Sequence, residues 1–544
     1  MVRPRWVIAG ILLAALAMRL ALLATGLAMT NGDEAQTGLM ALDILHGRAL
    51  PIYTYGYTYN GGAAMTAYVA ALFFRVAGTS DFSLKLVPLI VSLLYLWAVY
   101  AFVRRFFGEG AALVAGCLLL VDVGGLPWYL DARGAQVIHL ALSVVLAGIF
   151  YDLYFIGTGR WSRHFLFGLV AGVGHWNFPF MLPLAAGFVV LLALAEGHRF
   201  LRRGLPLAAL GALAGLAPVT TYHLAGNTGC AVRGAAIQLD LAAFPRNLAR
   251  ILAMSLPELF SLLNVVSAYS WLLLAIALTC VAYVAITHRA GLHAFLRALV
   301  AFGRSVPQRE EPAARVWPLI AFLPAYVVAA ALVRVGASTP RYLLPLAPFL
   351  TILTAIAMAH LLARRTLWRV LGGAFLATFA IIGLCVQGHL LFTEKETTLD
   401  YLRAPDGETL FLNLRQADFD ALMKFLADED IGCVYAASEL RSKIMFASVG
   451  RILASSRWLT PQHDFLPTAS EEVERRVSAG AKYAFVCRRD MLLCIKGRRE
   501  PNFPERWAAM LAGLRAQGVR WQQREIGGLV VYYDFDRDVR AFLP

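Results

Sequence analysis

Residues 6–34 read WVIAGILLAALAMRLALLATGLAMTNGDE, and this stretch decides the class of fold. Its first part, 6–29, is largely apolar apart from Arg19 and has the length, roughly 17–25 residues, that a helix needs to cross a bilayer. Two adjacent carboxylates, Asp33 and Glu34, follow directly. Similar apolar stretches lie at 83–103, 111–127, 136–156, 165–176, 178–195, 205–224, 268–287, 317–335, 342–362 and 370–391. The pattern predicts a polytopic α-helical membrane protein with about eleven spanning helices.

The segment 165–195 allows two interpretations. Its middle contains glycines together with His175, Trp176, Asn177 and Pro179, which favour a break between two short helices. The alternative is one long bent helix, which would reverse the sidedness of every later loop. The distribution of basic residues favours two helices, because only then do the basic loops all fall on one side.

The composition supports a membrane protein with a smaller soluble part. The 544 residues are 59% hydrophobic and only 15% charged, whereas ordinary soluble chains are about 25% charged. Residues 392–544 hold 22 Lys+Arg and 22 Asp+Glu, so the other 27 basic and 13 acidic residues precede them and carry the whole net charge of +14. We therefore predict a transmembrane catalytic domain at 1–391 and an extracytoplasmic domain at 392–544.

The basic residues before position 392 give the orientation. With the N-terminus in the cytoplasm, alternate loops carry 17 basic and four acidic residues, or +13 of the +14. This places the protein in a bacterial inner membrane with a periplasmic C-terminal domain, and it makes a nucleic-acid partner unnecessary. A spanning helix at 62–77 would move the later basic loops outside, so an interfacial helix is predicted in the first external loop, 30–82. A cleaved N-terminal signal peptide is the alternative for 6–29.

Residues 392–544 predict a soluble α/β domain. Helices are predicted at 416–428, 438–448, 468–478 and 504–517, and strands at 433–437, 451–455, 483–487 and 492–496. Thr468 and Glu471 form a capping-box pattern, and Gly527-Gly528 predicts a hairpin turn. A second hairpin would place Cys487 opposite Cys494, as a disulfide or as two reduced thiols. No phosphate loop or nucleophile elbow is present, so a scaffold or acceptor-docking role is the simpler interpretation.

The Asp33–Glu34 pair is the first candidate for chemistry. One explanation is structural: Asn31 or Asp33 caps a helix, and Glu34 favours the dipole at its N-terminus. The other is a general base at the membrane surface. The two are compatible, because a capping geometry also fixes a carboxylate in place.

Other polar residues lie on the predicted outer side. Asp131 and Arg133 stand in a short second external loop, where they either pair with each other or serve a function. Lys85 and Arg341 begin predicted helices, where a cation either binds a lipid phosphate or extends to headgroups. Four alternating tyrosines suit either sugar stacking or the interfacial aromatic belt: Tyr53, Tyr55, Tyr57 and Tyr59.

Three stretches carry a resemblance to a known family: NGDEAQTGLMALDILHGRALP (31–51), RVAGTSDFSLKLVPLIVSLL (75–94) and PRYLLPLAPFL (340–350). With a cytoplasmic N-terminus and an external Asp-Glu pair, they make residues 5–391 resemble the GT-C glycosyltransferases. Within these, the chain is similar to the protein O-mannosyltransferases and lipid A aminoarabinose transferases. One departure is that 59–63 reads YNGGA where many relatives carry Lys-Pro-Pro, which leaves the donor and acceptor assignment open.

The resemblance implies an inverting transfer of a sugar from a polyprenyl-phosphate donor to a glycan, glycolipid or protein acceptor, in contact with membrane lipids. Asp33 matches the catalytic acid of the family's Asp-Glu motif, with Glu34 beside it. Candidate substrate-binding residues are Lys85, Arg133, Arg341, Tyr342, Tyr57 and Tyr59, and Asp131 is a second acidic candidate. No cofactor is firmly implied, although Glu34, His46 and Asp131 are weak candidate ligands for a divalent metal ion.

Two other functions are compatible with a polytopic membrane protein. A lipid or sugar transporter would contain broken helices and charged residues at mid-membrane, whereas the acidic residues here gather near the outer ends of helices. A non-catalytic envelope scaffold would depend on residues 392–544 and not on Asp33.

Overall fold

The structure is a computed structural model of the chain. It describes residues 4–24, 30–55, 63–132, 134–157, 161–225, 239–261, 267–300, 312–333, 340–392, 416–457, 466–488 and 503–540. Within these ranges the chain is almost entirely helical up to residue 392, and a five-stranded sheet with flanking helices follows.

Eighteen α-helices are described before residue 393. They are α1 Pro4–Leu22, α2 Gly32–Leu45, α3 Ala63–Ala77, α4 Asp81–Phe107, α5 Glu109–Leu120, α6 Leu126–Leu130, α7 Gln136–Tyr151, α8 Trp161–Asn177, α9 Met181–Glu196, α10 Leu205–Gly215, α11 Ala217–Leu224, α12 Phe244–Arg250, α13 Leu256–Glu258, α14 Ala268–Thr287, α15 Arg289–Val300, α16 Trp317–Ala331, α17 Ala347–Ala363 and α18 Leu367–Phe392. Wider π-helical turns are Asp152–Ile156, Phe200–Gly204 and Ile251–Ser255, and tighter 3-10 segments are Pro312–Val316 and Pro340–Leu346.

Six helical segments among the described residues are long and apolar enough to cross a membrane. They are Asp81–Phe107, Gln136–Ile156, Ala268–Thr287, Pro312–Ala331, Arg341–Ala363 and Leu367–Phe392. Phe200–Gly215 and Ala217–Leu224 would make a seventh span, bent by 66°. The class of multi-pass helical membrane protein is therefore confirmed, and the number eleven stays a prediction. The segment 165–195 forms two helices, α8 and α9, as the basic loops indicated.

Basic loops that were predicted to share one side meet at one end of the helical part. Asp152 binds Arg105 at 2.6 Å and Arg163 at 2.7 Å, which joins the end of α4 to the start of α8. Arg315, before α16, donates a hydrogen bond to the Phe106 carbonyl oxygen at 3.2 Å. These contacts bring three basic loops together.

The first external loop contacts other helix ends that were assigned to its side. Trp176 Nε1, near the end of α8, donates to the Ile52 carbonyl oxygen at 3.0 Å. The Tyr53 hydroxyl and His223 Nε2, at the end of α11, lie 2.8 Å apart. These contacts bring residues near Ile52 and Tyr53 together with the ends of α8 and α11, which the charge pattern also assigned to one side.

Helices α8 and α10 approach through glycines spaced four residues apart, Gly168 and Gly172 on one helix and Gly211 and Gly215 on the other. A Cβ atom on Gly168 would overlap the carbonyl oxygen of Ala208, and each of the other three would also meet backbone of the partner helix. Small residues at this spacing let two helix backbones touch. In a membrane the hydrophobic effect does not drive helices together, so such close packing is a main source of their association.

The C-terminal domain is a three-layer α/β unit. Its elements are α19 Gln416–Asp428, β1 Cys433–Ala436, α20 Ser438–Ala447, β2 Leu453–Ser455, α21 Pro467–Ser478, β3 Tyr483–Arg488, α22 Phe503–Ala516, β4 Gln522–Ile526 and β5 Leu529–Tyr533. The sheet order is β2-β1-β3-β5-β4, with β1 parallel to both neighbours and the other pairs antiparallel. Helices α19 and α20 pack on one face, and α21 and α22 pack on the other.

The predicted hairpin between 483–487 and 492–496 is wrong as a sheet pairing. Strand β3 lies between β1 and β5, so both of its edges are already occupied. Cys487 stands opposite Val530 and is a buried free thiol, which removes the disulfide interpretation, while Cys494 lies outside the described residues. In contrast, the hairpin at Gly527-Gly528 is confirmed, with Gly527 at a φ of 57° between β4 and β5.

The predicted capping box of Thr468 and Glu471 is also wrong. Helix α21 begins one residue earlier, at Pro467, and its N-cap Leu466 makes no side-chain capping hydrogen bond. Proline suits the first helical position because its fixed φ is already helical and its missing N–H would have been unpaired there. Thr468 therefore lies inside the first turn.

The α8–α10 contact makes a prediction about stability. Gly168→Val should lower the free energy of unfolding by about 1–3 kcal/mol, because the new side chain forces two backbones apart. Gly187→Val on α9 is the matched control, since a Cβ atom at Gly187 has no neighbour within 4 Å. Thermal unfolding of both purified variants measures the difference. Equal midpoints would contradict the close approach.

Candidate active site

Helix α2 begins with a closed capping box. Asn31 Oδ1 accepts the backbone N–H of Glu34 at 2.9 Å, and Glu34 Oε2 accepts the backbone N–H of Asn31 at 3.0 Å. These bonds satisfy N–H groups that the start of a helix leaves unpaired. The capping explanation is therefore confirmed for Asn31, and Asp33 is the second residue of the helix.

Glu34 is bound from two further directions. Its Oε1 lies 2.5 Å from Lys85 Nζ on α4 and accepts the backbone N–H of Ala132 at 2.6 Å. The side chains of Glu34 and Lys85 are only 1% and 2% exposed, so each charge needs the other to offset the cost of burial. Glu34 thereby joins α2, α4 and the loop after α6, and both charges are engaged inside the protein.

The carboxylate of Asp33 is different from that of its neighbour. It is half-buried, and it forms no hydrogen bond or ion pair with any residue within the described ranges. The Asp33 backbone is fixed, since it lies in the first turn and its carbonyl oxygen accepts the Thr37 hydroxyl at 3.2 Å. A carboxylate on a fixed backbone, with no partner among the described residues, is suited to accept a proton from a substrate.

The loop after α6 is held by three elements. Besides the bond from Ala132 to Glu34, Thr66 Oγ1 on α3 donates to the Gly134 carbonyl oxygen at 3.0 Å. Asn177 Nδ2 at the end of α8 donates to the Ala135 carbonyl oxygen at 3.0 Å. This loop is therefore part of the same rigid group as the start of α2.

Asp131 lies in that loop and is buried, at 6% exposed. It ends α6 and precedes the residue that binds Glu34, so the predicted second acidic residue is close in sequence and space to the Glu34 group. Arg133 lies outside the described residues, and its predicted pairing with Asp131 stays a prediction.

Arg341 and Tyr342 lie in the 3-10 segment before α17. Arg341 Nη2 donates to the Tyr342 hydroxyl at 3.1 Å. The Tyr342 ring stacks on Phe180 with centroids 4.6 Å apart, and its carbonyl oxygen accepts the Tyr326 hydroxyl at 2.8 Å. Aromatic packing fixes Tyr342, and the contact of both residues with a substrate stays a prediction.

The tyrosines of the first external loop have partners that the sequence did not reveal. Tyr53 contacts His223, and the Tyr55 hydroxyl donates to Asp43 Oδ2 at 2.8 Å. Both are thus anchors of the loop against helices. Tyr57 and Tyr59, which were predicted to bind substrate, lie outside the described residues.

The predicted metal ligands do not come together. Glu34 and His46 stand near opposite ends of α2, about 18 Å apart along its axis at 1.5 Å per residue, so they cannot share an ion. His46 is exposed and its Nδ1 lies 2.8 Å from the Leu42 carbonyl oxygen. Across the described parts of the chain, no group of three or more His, Cys, Asp or Glu is arranged to hold a metal.

Comparison with known proteins gives the fold. The family model for dolichyl-phosphate-mannose-protein mannosyltransferases matches residues 62–222. The structure is similar to that of ArnT from Cupriavidus metallidurans bound to undecaprenyl phosphate, with a TM-score of 0.59 and 13% identity over 98% of both chains. The apo state of ArnT gives the same TM-score and identity over 97% of both chains. The chain has the GT-C glycosyltransferase fold.

A third similar structure, the oligosaccharyltransferase of Archaeoglobus fulgidus, has a TM-score of only 0.45 and 14% identity over 97% of this chain and 72% of that one. That similarity is too weak to add to the argument for a GT-C fold. The comparison with curated protein sequences finds no match.

The C-terminal domain of this GT-C fold contributes a buried cation that sequence reasoning missed. Lys443 on α20 is 7% exposed, and its ammonium lies 4.7 Å from the centroid of the Phe419 ring. Burial lowers the pKa of Lys443 to about 8, and the carboxylates of Asp81 and Glu34 partly offset that effect. Lys443 is therefore within electrostatic reach of the helix that carries Asp33.

A second missed group lies deeper in the GT-C helical part. The Tyr129 hydroxyl donates to Asp122 Oδ2 at 2.7 Å. Arg19 lies 4.5 Å over the Tyr129 ring and donates to Ser92 Oγ at 2.9 Å. The sequence identified Arg19, but Asp122 fell inside the predicted span 111–127. Because α5 ends at Leu120, Asp122 lies in a loop instead.

The buried Glu34–Lys85 pair makes a second prediction. Lys85→Met should cost about 3–5 kcal/mol of unfolding free energy, because it leaves the Glu34 carboxylate buried without its cation. Adding Glu34→Gln should restore much of the loss, since glutamine keeps the capping geometry and carries no charge.

Thermal unfolding of the single and double variants measures this coupling. Glu472→Gln, which removes an exposed ion-pair partner of Arg475 and Arg476 in the C-terminal domain, is the control and should leave the unfolding midpoint nearly unchanged. A double variant no more stable than Lys85→Met alone would contradict the coupling of the two charges.

Proposed function

We propose that the protein is an inverting glycosyltransferase that moves a sugar from a polyprenyl-phosphate donor to an envelope glycan, glycolipid or protein. The observation that carries the proposal is the contrast between two adjacent carboxylates. The Glu34 carboxylate is already bound to the Asn31 and Ala132 backbone N–H groups and to Lys85, whereas the Asp33 carboxylate has no partner within the described residues. The GT-C fold and the undecaprenyl phosphate bound to ArnT support the substrate class.

In the proposed reaction, Asp33 accepts the proton of the acceptor hydroxyl. The acceptor oxygen then attacks the anomeric carbon from the side opposite the phosphate, and the new bond from oxygen to carbon forms. The bond from the anomeric carbon to the phosphate oxygen breaks, and the lipid phosphate leaves with the electron pair. The configuration at that carbon is inverted, and the proton remains on Asp33.

The departing phosphate gains negative charge, which fixed cations stabilise. Arg341 and Arg133 are the proposed contacts for this group. Lys85 keeps its predicted place near the site, but its direct partner is Glu34, so we assign it to holding the Glu34 carboxylate and to adding positive charge behind α2. The N-terminus of α2 adds to the same positive field.

The proposal places the reaction on the outer face of a bacterial inner membrane. The support is the convergence of Arg105, Arg163 and Arg315 at one end of the helical part, which is the arrangement of cytoplasmic loops. Asp33 and the C-terminal domain lie with the loops of the other set. A lipid-linked donor presented in the outer leaflet would reach them there.

A transporter is the second candidate function. The bend of 66° between Phe200–Gly215 and Ala217–Leu224, the buried Arg19 and the half-buried Asp122 are features that such a protein would use. Transport would require no acceptor, so uptake of the lipid-linked sugar into proteoliposomes without acceptor would favour it. It would also be insensitive to the Asp33 carboxylate.

The transfer mechanism predicts that Asp33→Asn lowers turnover by at least about 100-fold, the contribution of a general base. The protein should still fold, because Asp33 has no partner within the described ranges and removing a charge from a helix start costs less than about 1 kcal/mol. Cells carrying the variant in place of the wild type should accumulate a lipid-linked sugar, measured by mass spectrometry of extracted lipids.

Asp43→Asn is the matched control on the same helix. Its carboxylate already has the Tyr55 hydroxyl and Arg48 as partners, and the proposal gives it no role in transfer. We expect Asp43→Asn to restore wild-type levels of the lipid-linked sugar in a strain from which the gene has been deleted. Full complementation by Asp33→Asn, at wild-type protein levels, would rule out the general-base assignment.

A further inference from the structure

The C-terminal domain and the helix that carries Asp33 share one hydrophobic core. A single cluster of buried side chains extends from the sheet through α19 and α20 into α2 and α3. It includes Ile444 and Phe446 of α20, Met40 of α2 and Phe74 of α3. The domain is therefore not joined to the helical part by the linker alone.

Phe446 is the closest point of this contact. Its ring lies so near Gly38 on α2 that a Cβ atom at position 38 would overlap three ring atoms. The same ring also stacks on Phe74 of α3, with centroids 5.9 Å apart at 26°. Phe446 is 2% exposed, so it fills the space between the two helices.

Lys443 stands three residues before Phe446 on α20 and adds an electrostatic contact to the same region. Its charged neighbours are Asp81 and Lys85 at the start of α4, Glu34 on α2 and Asp420 on α19. Glu34 lies in the first turn of α2 and Asp81 in the first turn of α4, and the Glu34–Lys85 ion pair already joins these two helices. The buried ammonium therefore favours the docked position of α20 beside those helix starts.

We propose that Phe446 is a positioning residue for the Asp33 carboxylate, and that the C-terminal domain is a working part of the transfer site. The proposal rests on the proposed function, in which Asp33 is the base. Gly38 lies five residues after Asp33 on one continuous helix, so a displacement of α2 at Gly38 also moves the carboxylate. Transfer is sensitive to such shifts, because a displacement of about 1 Å can cost on the order of 100-fold in rate.

The contact between Gly38 and Phe446 offers a reciprocal test. Gly38→Ala adds a methyl group against the ring and should lower turnover roughly tenfold, since the ring or α2 must move. Phe446→Leu removes the ring atoms that the methyl group meets and keeps an apolar side chain. The double variant should return to within about threefold of wild type. Gly373→Ala on α18, where a Cβ atom has no neighbour within 4 Å, is the control.

Two measurements are made on each purified full-length variant. Turnover is followed as loss of the lipid-linked sugar in membranes of the deletion strain, which supply donor and acceptor. Hydrogen exchange of peptides covering 32–45 reports on α2 independently of activity. We expect Gly38→Ala to raise exchange in α2 and to lower turnover, and the second substitution to reverse both effects. Gly373→Ala should change neither.

The outcomes separate this proposal from the proposed function. Unchanged exchange and turnover in Gly38→Ala would overturn the positioning role. A lower unfolding temperature with unchanged turnover and unchanged α2 exchange would also overturn it, because that is the result of a purely structural contact. A third outcome is possible. The wild-type protein could consume no lipid-linked sugar, while Gly38→Ala still raises hydrogen exchange in α2 and the added Phe446→Leu lowers it again. That result would confirm the contact and contradict the transfer function.

Discussion

The carboxylate of Glu34 is the interaction on which the rest of the site depends. A charge that is 99% removed from solvent needs partners on every side, and Glu34 finds them on α2 itself, on α4 and in the loop after α6. Because these partners come from three separate elements, the charge fixes the elements relative to one another. The backbone of the neighbouring Asp33 is fixed by the same contacts, but its carboxylate takes no part in them.

The two adjacent carboxylates thus have different environments. Glu34 has a structural role, and Asp33 is the residue that we propose reacts. An acid that is held by a lysine and two backbone N–H groups has its carboxylate oxygens already occupied, so a substrate hydroxyl cannot reach them without displacing those partners. An acid beside it that has no partner in the part of the chain that the structure describes is available to a substrate. The same logic assigns roles to paired carboxylates in other enzymes, where the surroundings and not the residue type decide which acid reacts.

Local features of this chain were predictable from the sequence, and long-range pairings were not. The helix start near Asn31, the break between α8 and α9 and the turn at Gly527 follow from neighbouring residues and basic-loop counts. The partner of Lys85 lies 51 positions away, and no periodicity encodes it. The strand pairing predicted for Cys487 was wrong for the same reason, since the antiparallel partner of β3 comes from 529–533 and not from the adjacent sequence.

The composition boundary near residue 391 is real, but it does not separate the site from the rest of the chain. Alanines and Phe74 on α3 recur at helical spacing and form a buried stripe, which a sequence alone assigns to the membrane interface. In the structure that stripe packs mainly against α2 and α4, and Phe74 near its end also stacks on Phe446 of the C-terminal domain. The net charge does not reveal this contact, because a domain with equal numbers of acidic and basic residues can still present apolar side chains and a buried lysine on one helix to its neighbour. The polar domain and the first external loop therefore share one hydrophobic cluster, and this cluster lies beside the buried Glu34–Lys85 pair that precedes it on α2 and α4.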